Sequence, residues 1–425
     1  MLKSRTVTVR DLRRSNRSRV LWEVFLRGPL TRQEVGALAG LSLATVSNLV
    51  AALEAEGVVA EVGLEDSNGG RPRGLLQVNP EYGFVIGVDV GESAFLVELF
   101  DFGLGSRARH TSVTDVSVLD PQDAVDHIVA GVSAVTKEAG VSPGAVLGAG
   151  VAVPGLVQDG LTPAQDGPGA VVHGQSIGWR AVPLEAMVAE RTGLPVLVDN
   201  GAKALGQAEW LFGAARGADD AVIVLLGIGA GACIVAGGEL YRGAAGSAGE
   251  WGHTTAAAGG RSCRCGAAGC LEAYIGAGAV ADRYRQLKRR PASASPVELE
   301  GQIAQIIAAR ESDKAAAQVL DETVDYLGAG IADLVNLFNP ERVVLGGWLG
   351  RALSAALLPQ IRAAVRSRAL QLPFSRVQIA QAELGADAVA LGGATLPIAR
   401  LIAAGAVAAP DGPGRRLFRP AAAGG

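Results

Sequence analysis

Residues 31–57 read TRQEVGALAGLSLATVSNLVAALEAEG, and this stretch decides the fold of the N-terminal region. Thr31, followed three residues later by Glu34, forms a capping box that opens a short helix. That helix carries Val35 and Leu38 inward and stops at Gly40. One turn later Ser42 caps another helix, with Val46, Leu49, Val50 and Leu53 on one face and Gly57 past its end. Upstream, Val20, Leu21, Val24 and Phe25 form a helical stripe across residues 18–27, which Gly28-Pro29 stops. Two short helices joined by a tight glycine turn, the second opening on small polar residues, match a helix-turn-helix.

Two strand-like runs follow, VVAEVGL (58–64) and GLLQVNP (74–80), joined by EDSNGGRPR. Helices followed by a hairpin predict a winged helix-turn-helix over residues 1–80. The candidate DNA contacts are Thr31, Arg32, Ser42, Ala44, Thr45, Ser47 and Asn48 on the helices, with Arg71 and Arg73 on the wing. Thr, Ser and Asn offer hydrogen bonds to bases or phosphates, and small apolar groups touch thymine methyls. Arginines on a stiff hairpin suit the negative potential of a narrow minor groove. The net charge of the chain is -4, yet residues 1–32 hold nine basic side chains against two acidic ones. A local excess of seven positive charges fits phosphate contact, and equally fits a solubilising tail.

From Phe84 strands alternate with helices. FVIGVDVG turns at Asp89, Gly91 and Ser93 into AFLVELFD, a hairpin of the kind that cradles phosphates. VLGAGVAVPGLV (146–157), LPVLVDNGAKALGQAEW (194–210), the glycine-rich AVIVLLGIGAGACIVAGGELYRG (221–243), AGEWGH (248–253), SCRCGAAGCLEA (262–273) and NPERVVLGG (339–347) follow in order. His253, Cys263, Cys265 and Cys270 supply one imidazole and three thiolates within 18 residues. That is a complete tetrahedral set with no open position, so it predicts a structural zinc rather than a catalytic one. Cys233 lies outside it and reads as a small buried hydrophobe.

Across residues 15–400 the series of blocks resembles the ROK family of repressors, open reading frames and kinases. The resemblance implies an α/β body with the two-lobed, actin-like (ribonuclease H-like, sugar-kinase type) fold. The expected body spans residues 81–410, with a smaller lobe at 81–199 plus a helix at 386–408 and a larger lobe at 200–385. Residues 411–425 are of low complexity and expected to be disordered. The resemblance further implies that Asn200, Glu250, His253 and Glu272 contact sugar hydroxyls. Asp89, Gly91, Ser93, Gly227, Gly229, Gly346 and Gly347 then map to a nucleotide site.

The chain departs from the kinases of that family at three places. Their Glu-Asn-Asp-Ala-Asn motif, whose aspartate is the general base, reads here Asp199-Asn200-Gly201-Ala202-Lys203. Their Gly-Thr-Gly-x-Gly loop has Ile228 in place of the hydroxyl, and Trp348 follows Gly346-Gly347 where a small residue is usual. Trp348 is a candidate to fill the adenine pocket, and Asp199 a candidate substitute base. The expectation is a sugar-responsive regulator, most often a repressor, that binds operator DNA as a homodimer or homotetramer and has lost catalysis. The alternative is a bifunctional ATP-dependent sugar kinase carrying a DNA-binding domain. No run of 18 uncharged apolar residues and no apolar leader occur, so a cytoplasmic protein without a membrane partner is expected.

Overall fold

The computed structural model describes residues 8–65, 72–114, 119–158, 169–290 and 296–405. Its N-terminal unit runs α1 (Val9–Arg27), β1 (Leu30–Thr31), α2 (Arg32–Ala39), α3 (Leu43–Ala55), β2 (Val59–Glu65) and β3 (Arg73–Val78). Both capping boxes that frame it are made by side chains. Thr31 exchanges hydrogen bonds with Glu34, and Thr8 does the same with Asp11. The second box starts α1 nine residues before the apolar stripe begins, because the arginine-rich first half of the helix faces outward. Gly40 closes α2 in the left-handed conformation at φ 63°, where a Cβ would be strained.

Two expectations change here. Leu38 does not point inward but is 40% exposed. The packed stripe of α2 is Val35, Gly36 and Ala39, small residues that let its backbone approach the turn at Leu41. Leu30 and Thr31 also form a strand of their own, pairing antiparallel with Leu76 and Leu75 of β3. The hairpin therefore becomes a three-stranded sheet in the order β1-β3-β2. The turn that carries Arg71, and the tail at 411–425, lie outside the described residues.

The body opens with β4 (Phe84–Val90), β5 (Ala94–Asp101), β6 (Ser106–Val113), α4 (Pro121–Glu138), β7 (Val146–Val153), β8 (Leu156–Gln158), β9 (Val171–His173), α5 (Leu184–Thr192) and β10 (Val196–Asn200). It continues through α6 (Gly201–Phe212), β11 (Ala221–Leu226), β12 (Ala230–Ala236), β13 (Glu239–Leu240), α7 (Glu272–Ile275), α8 (Ala277–Leu287), α9 (Leu299–Ala308) and α10 (Lys314–Phe338). It ends with β14 (Arg342–Gly346), α11 (Gly347–Arg366), α12 (Gln371–Arg376), β15 (Gln378–Gln381) and α13 (Ala388–Ala403).

One pattern of pairing occurs twice. The first sheet has the order β10-β7-β4-β5-β6 and the second β15-β14-β11-β12-β13. In each, the first strand starts an antiparallel meander on one side and pairs in parallel on the other with a later strand, which itself pairs in parallel with the last. This duplicated α/β sheet is the two-lobed actin-like fold. Helix α13 lies on the first sheet and α6 on the second, and the two helices pack on each other. The approach is close because a methyl group at Gly392 would lie 1.9 Å from the Ala204 carbonyl oxygen. Likewise one at Gly150 of β7 would lie 1.9 Å from the Gly393 carbonyl. Among the described residues no single helix is long and apolar enough to cross a membrane.

Candidate functional site

Two surfaces carry the predicted residues, and the first is the N-terminal unit. Ala44 and Asn48 are exposed at the start of α3, beside the half-exposed Thr45 and Ser47. Ser42 is the cap, its Oγ accepting from the Thr45 backbone N–H at 3.2 Å. Arg73 is exposed at the head of β3. Thr31 does not belong to this surface: it is 2% exposed and its hydroxyl donates to Glu34. The capping box takes it out of reach of a partner. Arg32 pairs with Glu54 and Glu61 at 3.0 and 3.2 Å, and Arg17 pairs with Glu56, so part of the basic excess is neutralised inside the unit.

The second surface is the cleft between the lobes. Asn200 ends β10 and caps α6, its Oδ1 accepting from the backbone N–H groups of Ala202 and Lys203 at 2.9 and 3.2 Å. Its Nδ2 donates to the Gly155 carbonyl at 2.7 Å, which ties the first turn of α6 to the loop after β7. Asp199 is 3% exposed and held by Arg242, with contacts of 2.8 and 3.0 Å. That pairing engages both of its carboxylate oxygens. A methyl group at Gly201 would meet nothing closer than the Val153 carbonyl oxygen at 3.7 Å. The position therefore has room for a side chain and carries none.

Lys203, one turn into α6, is 3% exposed, and its burial lowers the ammonium's pKa. Glu250 is half-buried and shifted the other way by burial, while Lys203 and His253 act to restore its charge and Glu272 opposes it. Glu250 thus lies within electrostatic range of Lys203, His253 and Glu272. Glu272 opens α7, and its Oε2 accepts from the Ala230 N–H of the glycine-rich hairpin at 2.9 Å.

The metal-type cluster stands beside these residues. His253 Nδ1 lies 3.7 Å from Cys263 Sγ, Cys265 Sγ lies 3.7 Å from Cys270 Sγ, and all four ligand atoms fall within 4.8 Å of one another. Thiolates bound to one tetrahedral zinc at about 2.3 Å sit about 3.8 Å apart, so the donor set fits that ion. The loop is further pinned by Arg261, which pairs with Glu322 together with Arg283 of α8, at 3.4 and 2.8 Å. The Arg283 hydrogen bond holds the Glu322 carboxyl down at about 2. A carboxyl lowered on folding contributes stability above its ordinary pKa and loses it as the pH falls. Glu322→Gln is accordingly expected to flatten the fall in stability between about pH 4.5 and 2, read from urea midpoints across that range.

The nucleotide-type residues are only partly open. Burial pushes the Asp89 carboxyl, near the end of β4, up to about 7. Gly346 and Gly347 join β14 to α11, and Gly347 at φ 74° brings its backbone against the Leu226 carbonyl. Trp348 lies against the glycine loop rather than free of it, since a methyl group at Gly227 would sit 3.2 Å from its indole Nε1. Gly229 is covered by an ion triad that sequence reasoning missed. Arg264, between two cysteines of the cluster, pairs with Glu92 on the β4–β5 turn and with Glu272 at 3.4 Å. A methyl group at Gly229 would lie 3.1 Å from Glu272, 3.3 Å from Arg264 and 3.6 Å from Glu92. Two carboxylates thus stand against the glycine loop.

The model of the ROK family matches residues 85–400. The xylose repressor of Caldicellulosiruptor bescii is 31% identical over 386 residues, covering 90% of this chain and 94% of its own. A crystal structure of a ROK-family transcriptional regulator, a homologue of the E. coli MLC protein, superposes with a TM-score of 0.74 at 24% identity, covering 93% of this chain and 97% of that one. A ROK-family glucokinase from Streptomyces griseus, solved with glucose and AMPPNP, covers 74% of this chain and 99% of its own, at 30% identity and a TM-score of 0.63. The repressor match reaches into the N-terminal unit, whereas the glucokinase leaves about a quarter of this chain unmatched.

Proposed function

We infer the function from one premise: this chain belongs to the ROK family. It is a sugar-responsive DNA-binding transcription regulator, similar to xylose repressors and to a dual regulator of transcription. The observation that carries the reading is the pairing of a helix-turn-helix with a sugar-kinase cleft whose base position is Gly201. Residues 1–80 are the reader, residues 81–199 with α13 (Ala388–Ala403) the smaller lobe, and residues 200–385 the larger lobe. Asn200, Glu250, His253 and Glu272 bind the hydroxyls of a sugar such as xylose. Hydrogen bonds to acidic side chains give selectivity over deoxy analogues.

Catalysis has been abandoned on this reading. Removing a general base costs about 10²–10⁴-fold in rate, Asp199 is engaged by Arg242, and the glycine loop is covered by Trp348 and the Arg264 triad. Because Gly201 has room for a side chain, Gly201→Asp is the variant in which ADP release would reappear if the rest of the machinery survived. The His253, Cys263, Cys265, Cys270 set holds a structural zinc through His253 Nδ1, which leaves Nε2 to face the sugar.

The protein acts in the cytoplasm as a homodimer or homotetramer. In a dimer the two readers meet half-sites about 34–36 Å apart or a multiple of that spacing. Ala44, Thr45, Ser47 and Asn48 face the major groove, and Arg73 with Arg71 the adjoining backbone and minor groove. Asn48→Ala is expected to weaken operator binding by about 1–3 kcal/mol while leaving affinity for random duplex unchanged, read by fluorescence anisotropy. The sugar reading is tested by operator affinity with and without D-xylose, D-glucose or N-acetylglucosamine. The wild type should respond to one of them and Glu250→Ala to none, and equal affinities throughout would defeat it.

A further inference from the structure

The reader is not tethered to the body by a loop but built into the core of the smaller lobe. Val20, Leu21 and Val24 of α1 share one hydrophobic cluster with Tyr82, Val85, Phe100 and Phe102, and with Ala394, Ile398 and Ile402 of α13. Reader and smaller lobe therefore move together, because close-packed cores resist continuous deformation. The larger lobe touches the same helix separately. Phe212, the last residue of α6, sets its ring edge-on to Phe25 of α1 with 6.3 Å between centroids. Four residues on, Arg216 donates from Nη2 to the Leu26 carbonyl at 3.2 Å. Leu26 lies in the final turn of α1, where carbonyls lack helical partners and a cation is favoured.

The other end of α6 is in the cleft. Asn200 caps it there and reaches across to the Gly155 carbonyl, while Lys203 faces Glu250 and Asp199. The helix has 12 residues and so spans about 18 Å from the cleft to the reader. It is held to the larger lobe along its length, with Gly206 seated on Cys233 of β12. A rotation of the larger lobe about the cleft must then carry Phe212 and Arg216 across the end of α1.

We propose that Phe212 and Arg216 are positioning residues through which the state of the cleft reaches the DNA reader, by displacement of the C-terminal end of α6 against Phe25 and Leu26. Neither residue touches the sugar or the DNA. The proposal rests on the regulator reading above and adds the route by which the two sites are coupled. A ligand that favours one lobe angle favours one placement of the last turn of α1, and hence one spacing of the readers in a dimer.

The test uses the full chain and a duplex that the wild type selects from a randomised pool. In the first arm, Phe212→Ala/Arg216→Ala should bind the responsive sugar with wild-type affinity by calorimetry. Its operator affinity should no longer change with sugar, against an expected wild-type change of about 5–150-fold. Arg216→Ala alone, at an exposed position, is the safeguard for folding and should diminish the response, which Arg216→Lys should largely restore. A double variant that keeps the full wild-type response overturns the proposal.

The second arm needs no sugar. Asn200→Ala loosens the cleft end of α6 and should shift operator affinity in the wild type but not in the Phe212→Ala/Arg216→Ala background. Additive effects in this cycle overturn the proposal. A wild type deaf to every sugar defeats the sugar reading alone and leaves this cycle to decide the coupling.

Discussion

Replacing Cys270 with serine is expected to reduce bound zinc from one equivalent to almost none and to unfold the loop between His253 and Glu272. A neutral hydroxyl is a far poorer ligand than a thiolate, and three remaining donors cannot close a tetrahedral site. Zinc-finger peptides draw about 10–16 kcal/mol from the ion, which is large beside the few turn hydrogen bonds and the Arg261–Glu322 pair that otherwise hold this loop. Here the segment from residue 254 to 270 is almost entirely turns and isolated bridges. The loss should extend to Glu272, two residues past Cys270, and to Arg264, which spans the lobes from between Cys263 and Cys265. Metal content by mass spectrometry and the unfolding midpoint are the measurements. A Cys270→Ser protein that keeps its metal and its midpoint would show that the cluster is not a zinc site. Chelation of the wild type should reproduce the same loss.

Glu209→Ala should be the most damaging substitution outside that loop. Glu209 is wholly buried on α6 with no basic partner, and its carboxylate serves backbone donors instead. Oε2 accepts from Ala214 N–H at 2.8 Å and Glu383 N–H at 3.3 Å, and Oε1 from Leu384 N–H at 2.8 Å. Together these bonds fasten the turn after α6 to the segment leading into α13. Alanine leaves three N–H groups without acceptors, one buried and two part-buried, and opens a cavity. A buried unsatisfied donor costs about 1–3 kcal/mol and a part-buried one less, so the loss is roughly 2–6 kcal/mol, a large share of the stability of a typical domain. Urea denaturation should show a lower midpoint, with Glu209→Gln in between because one oxygen remains. A wild-type midpoint in Glu209→Ala would contradict the hydrogen-bonding described.

The parts of the molecule legible in the sequence were those written in short-range chemistry. Thr31 with Glu34, and Ser42 before Thr45, announce helix starts because the capping side chain and its N–H are three residues apart. The cysteine cluster reads directly because its ligands are consecutive in one loop. Features set by distant partners were hidden. The pairing of Leu30 and Thr31 with β3 is two residues long and carries no strand pattern. Arg264 and Glu92 are 172 positions apart, and nothing local in either marks the bridge. The glycines at 87, 150, 392 and 393 vanish among 58, although each permits a backbone approach that fixes how α13 sits. Thr31 reads as a DNA contact in the sequence because a residue type suited to bases is equally suited to a cap, and its burial in the capping box decides for the cap.

The central claim is that the reader is the output and the former kinase cleft its input. It is tested most directly by titrating a selected operator duplex with the zinc-loaded protein while D-xylose and other candidate sugars are added. A change of about fivefold or more in operator affinity with one sugar, without ADP release when ATP is supplied, is the predicted result. Steady ATP-dependent phosphorylation of that sugar, or operator affinity indifferent to every sugar, would contradict it.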